Sequence, residues 1–63
     1  MKEGDLVIMR PQVYFERWAG KTAIVSNSYT KYNQNILDIC FIETREVRLG
    51  MSASLFDLMS ESP

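Results

Sequence analysis

Seven basic against eight acidic side chains leave this 63-residue chain at a net charge of −1, which excludes strong non-specific attraction to nucleic acid but not a local basic patch. A single domain of this length buries only about 60% of the surface that its unfolded form exposes. With one cysteine and no histidine, neither an internal disulfide nor a soft-ligand zinc site is open to it, so packed apolar side chains or a partner must complete the core.

The N-terminal "MKEGDLVIMRP" has a charge but no long apolar run and no small-residue cleavage site, so no secretion signal is expected. No stretch approaches the roughly 20 apolar residues of a membrane span. A cytoplasmic protein is the expectation, and a single cysteine fits a reducing compartment.

Gly4-Asp5 reads as a turn, followed by the strand-like "LVIMR" that Pro11 stops. "PQVYFERWA" has neither clean alternation nor a helical stripe and is read as a long loop. Gly20 then opens "KTAIVSN", where Ala23 and Val25 alternate with Thr22, Ile24 and Ser26 as in a half-buried strand. The polar, asparagine-rich stretch from Ser28 to Asn35 predicts a turn carrying Tyr29 and Tyr32.

"ILDICFI" is the strongest strand. Leu37, Ile39 and Phe41 share one face, and Ile36, Asp38, Cys40 and Ile42 share the other, itself mostly apolar. Two apolar faces predict a central strand, or one whose outer face meets a partner. After the short turn "ETR", "EVRLGM" alternates with Val47, Leu49 and Met51 inward and Glu46, Arg48 and Gly50 outward. "SASLFDLM" suits a 3₁₀ turn and a short closing strand, a helix over the "MSASLFDLMSES" stretch being too short to stand unaided.

These elements predict an all-β fold, a small five-stranded SH3-like barrel with a long first loop and a 3₁₀ turn before the last strand. An OB-fold normally needs a helix where only "ETR" is available. The domain spans residues 1–59, with 60–63 as a frayed tail. The expected core is Val7, Met9, Ala23, Val25, Leu37, Ile39, Phe41, Val47, Leu49 and Leu55.

Catalysis has little to work with. The usual base near neutral pH is missing, Cys40 sits in an apolar strand as an inert thiol, and the serines lack triad partners. Glu43 and Glu46 read as a solvated face. No catalytic residue, cofactor or metal is assigned. A non-enzymatic docking role rests on Tyr14, Phe15, Arg17 and Trp18 in the first loop, with Tyr29 and Tyr32 as a second surface, because aromatics and arginine dominate where binding energy concentrates. At least one loop aromatic must also cover the open end of so small a barrel. The alternative is a nucleic-acid module of the KOW type, for which "GKTAIV" supplies one signature glycine, Gly20. It would use Arg10, Arg17, Lys21 and Lys31 with the tyrosines between them as a stacking surface.

The stretch "RPQVYFERWAGKTAIV" resembles the first half of photosystem I reaction-centre subunit IV, whose pattern runs G-x-x-V, R-P-x-x-Y, five residues, then G-x-x-A-x-V. Gly4, Val7, Arg10, Pro11, Tyr14, Gly20, Ala23 and Val25 match it, and "ASLFDL" is similar to that family's closing stretch. "YFERWAG", "CFIE" and "SLFDLM" are also similar to the SH3-like subunit S of the photosynthetic NADH dehydrogenase-like complex. Both resemblances imply an SH3-like barrel that docks on the cytoplasmic or stromal face of a larger assembly, peripheral to the membrane, near where ferredoxin binds. The turn "ETR" departs from the basic excursion of subunit IV, and its Glu43 would repel an acidic partner. "MKEGDLV" and "SLFDLMSES" resemble the opening and close of many small bacteriophage proteins.

Overall fold

Strand-forming alternation in a chain this short can be satisfied only by wrapping one sheet around one apolar face. The protein, described by a computed structural model over residues 1–11 and 17–63, does so with five strands. These are β1 (Leu6–Met9), β2 (Thr22–Lys31), β3 (Gln34–Phe41), β4 (Val47–Ser52) and β5 (Phe56–Ser60). All pairings are antiparallel, in the order β4-β3-β2-β1-β5. The expected β1–β5 pairing is present, with Val7 opposite Leu58 and Met9 opposite Phe56. The expected 3₁₀ turn occupies Ala53–Leu55, and the Ser52 hydroxyl caps it by accepting the Ser54 N–H.

The core is built from the inward positions of four strands: Val7, Met9, Ala23, Val25, Leu37, Ile39, Phe41 and Phe56 are all buried. Trp18, Met51, Ala53 and Leu55 pack against it. Leu55, expected at the centre, is half-buried, and Phe56 takes the deep position beside it.

Two expected core residues are corrected. Val47 is 60% and Leu49 71% exposed. The cause is a bulge in β4: Leu37 and Ile39, two steps apart on β3, face Met51 and Arg48, three steps apart on β4. An extra residue in one strand reverses the side on which all preceding residues point. Gly50 makes the extra step at φ +70°, and its N–H donates to Asp38 Oδ1 at 2.9 Å. Arg48 therefore turns inward in register with Ile39, and Val47 turns outward opposite Cys40.

The segment from Ser28 to Asn35 is also corrected. It is a continuous hairpin, with β2 running to Lys31 opposite Gln34 at the start of β3. The connection is only Tyr32-Asn33, at φ 52° and 61°, the two positive dihedrals of a type I′ turn. Asparagine tolerates that region, whereas tyrosine there is uncommon, which is why the sequence reads as a longer turn.

The two ends of the chain meet at Asp5. Its buried carboxylate accepts the Lys2 N–H at 2.8 Å and the Ser62 N–H at 2.7 Å. Gly4 sits at φ +90°, where a Cβ would lie 2.8 Å from Ser62 Oγ, so glycine lets the two ends close together. Ser60, expected as the first residue of a free tail, closes β5, and Ser62 is half-buried.

Candidate docking surface

The first loop brings Trp18 onto the end of the barrel. Its ring stacks on Phe41 with centroids 5.8 Å apart and planes within 10°. Phe41 is buried, so this contact makes Trp18 a lid on the core. Tryptophan is also the best aromatic for holding a cation over its face, and two guanidinium groups lie there. Arg48 is 4.4 Å and Arg17 5.8 Å from the ring centroid.

Glu46 organises the two arginines. Its Oε1 accepts from Arg17 Nη2 at 2.8 Å, and its Oε2 lies 3.8 Å from Arg48 Nη2. One carboxylate is thus divided between two cations, leaving net positive charge on the cluster. Arg17 is the outermost member, its side chain 70% exposed, while Glu46 is only 23% exposed. Arg17 and Trp18, both expected in the docking surface, lie together in this cluster. Arg48 and Glu46 were not expected beside them, because simple alternation points both away from the core and only the Gly50 bulge brings Arg48 round to Trp18.

Tyr14 and Phe15, with their neighbour Val13, lie outside the described residues. Tyr29 and Tyr32 do not join the Trp18 cluster. Tyr29 stands on the outer face of β2, where its hydroxyl donates to Asp38 Oδ1 at 3.4 Å. Burial first, and then the Asp38 charge, raise the Tyr29 pKa above the ordinary phenol value. Tyr32 is at the hairpin tip, 87% exposed, with Lys31 Nζ 5.6 Å from its ring centroid.

The basic residues considered for nucleic acid are dispersed and mostly paired. Arg10 bonds Asp57 at 2.9 Å, Lys21 bonds Glu43 at 3.0 Å, and Arg17 bonds Glu46. Lys31 stands at the opposite end of β2 from Lys21. Cys40 is half-buried on the outer face of β3 and forms no disulfide. No helix among the described residues is long and apolar enough to cross a membrane.

No family model matches the chain, and no curated protein or solved structure is significantly similar to it.

Proposed function

We propose that the protein is a non-enzymatic docking module that binds a larger protein assembly through the surface of Arg17, Trp18 and Arg48. The observation that carries this reading is the pair of guanidinium groups over one indole ring, sharing a single carboxylate. Trp18 serves as the platform, and the exposed arginines make the contact. Because guanidinium forks bind carboxylates bidentately, the partner is an acidic protein surface that competes with Glu46 for them. Attachment at the periphery of a photosynthetic complex, or a phage-encoded version of that role, is the setting that the resemblance of the Arg10–Val25 stretch implies.

The test is capture from a cell extract on immobilised protein. The native chain should retain a partner that moderate salt releases and that Arg17→Glu fails to retain, while Arg10→Glu retains it. Equal capture by Arg17→Glu and the native chain sinks the reading. Nucleic-acid binding is the weaker alternative, since three of its four basic residues already face carboxylates. It predicts a steep loss of single-stranded DNA or RNA affinity with rising salt.

A further inference from the structure

β4 ends the sheet, so one of its two backbone edges has no strand beside it among the described residues. The register tells which groups lie on that edge. Phe41 N–H donates to Glu46 C=O at 2.8 Å, and Arg48 stands opposite Ile39, so Glu46 and Arg48 turn their backbone toward β3. Alternation then sends the N–H and C=O of Val47 and of Leu49 to the open side. Gly50 stops the run, because its N–H is drawn to Asp38 Oδ1.

The side chains along this edge divide by face. Val47 and Leu49 stand exposed on the outer face, while Arg48 turns to the inner face beside Trp18. Arg48 makes no hydrogen bond among the described residues. The carboxylate of Glu46 is 3.8 Å from it, beyond hydrogen-bond reach. Arg45, in the turn that leads into β4, has no ion pair among the described residues either. Lys21 and Glu43 cancel each other nearby. Arg17, Arg45 and Arg48 thus stand against Glu46 at this end of β4, and the balance is positive.

From these observations we propose that the acidic partner of this surface is an extended segment that adds to β4 as a sixth, antiparallel strand, with an apolar–acidic–apolar sequence. The inference rests on the docking reading above and names the form of the partner. Such a segment satisfies the outward backbone groups of Val47 and Leu49, as in other cases of strand addition. Its residue opposite Arg48 forms a non-hydrogen-bonded pair, the kind whose side chains lie closer. A carboxylate there meets a guanidinium that still has donors to give. The residues on either side point to the outer face and cover Val47 and Leu49. Charge selects the central residue, and the exposed aliphatic pair selects its neighbours.

Titrating the capped peptide Ser-Thr-Val-Glu-Val-Thr-Ser into the nitrogen-15-labelled full chain tests the proposal. The amide resonances of Val47 and Leu49 should shift saturably, with a dissociation constant of about a millimolar or below. The emission of Trp18, the single tryptophan, should change with them. N-methylation of both peptide valines removes the donors to Val47 and Leu49 and should weaken binding at least tenfold. A central lysine in place of the glutamate should abolish it, and Arg48→Glu should reverse that preference. If Arg48→Glu fails to fold, the methylated and lysine-centred peptides decide the matter on the native chain. Unmoved Val47 and Leu49 amides at several millimolar peptide overturn the proposal. So does an N-methylated or lysine-centred peptide that binds as well as the parent. If the N-methylated peptide binds unchanged while Arg17→Glu loses its captured partner, strand addition falls and docking through side chains stands. Retention of that partner by Arg17→Glu sinks the docking reading itself.

Discussion

Arg48 rests 4.4 Å from the centre of the Trp18 ring although strict alternation along β4 points it the other way. The single residue that brings it there is Gly50, whose bulge reverses the faces of everything N-terminal to it in β4. The place of Arg48 in the candidate docking surface depends on this one backbone irregularity.

Trp18 is therefore expected to matter for stability before it matters for binding. Trp18→Ala removes a ring stacked on buried Phe41 and strips the lid from the core, at a cost of about 3 kcal/mol. Trp18→Phe keeps the stack and should lose less than half as much. Urea unfolding followed by far-UV circular dichroism separates the two. If Trp18→Ala melts like the native chain, the ring is not sealing the core.

The glycines rank in a definite order. At Gly50 an added Cβ meets only the Tyr29 hydroxyl, at 4.0 Å, so Gly50→Ala loses about 1 kcal/mol from the left-handed backbone alone. At Gly4 the same change meets Ser62 Oγ at 2.8 Å and Ser62 Cβ at 3.0 Å in addition to φ +90°. Gly4→Ala should thus be clearly the more destabilising in denaturant midpoints, and Gly4→Ala paired with Ser62→Gly should recover part of the loss.

Acid stability should depend on Asp5. Its hydrogen bonds from Ser62 and then Lys2 hold its pKa below the ordinary carboxylate value. The native state then binds fewer protons than the unfolded chain in the acid range, so stability increases with pH there. That contribution is complete above the unfolded pKa of about 3.9 and is lost as pH falls through the lower folded one. Asp5→Asn should lower stability at neutral pH and flatten the acid limb of the stability curve. An unchanged limb in Asp5→Asn would assign acid sensitivity to another carboxylate.

The hairpin tip offers a gain. Tyr32 and Asn33 occupy left-handed positions that Asn and Gly fill with less strain. The double change Tyr32→Asn and Asn33→Gly should raise stability by roughly 0.5–1 kcal/mol, even after losing the exposed Lys31 contact. A fall in melting temperature would show that the exposed ring is supporting the turn.

Much of this fold was legible because alternation carries through β1, the first half of β2 and β3. Val7, Met9, Ala23, Val25, Leu37, Ile39 and Phe41 all fall where period-two spacing puts them. Val47 and Leu49 escaped because one bulge residue costs a strand its parity, and "RLGMS" carries no sign of a bulge beyond the glycine itself. The hairpin at Tyr32 escaped because its turn lacks the usual Asn-Gly pair. At the candidate site, Arg17 and Trp18 stood out by composition. Arg48 and Glu46 are brought to them by strand register, which a linear reading assigned to the wrong face.

The tie between Asp5 and both ends of the chain has a mechanical consequence. β1 begins and β5 finishes at the same end of an antiparallel pair, with Leu6 opposite Ser60. A pull on the two termini loads their hydrogen bonds one after another, as in a zipper, instead of shearing them together. The Asp5 carboxylate bridging Lys2 and Ser62 is the first link to carry that load. Once it opens, β5 can peel from β1 a pair at a time, so the seam of this barrel begins to yield at a single buried side chain.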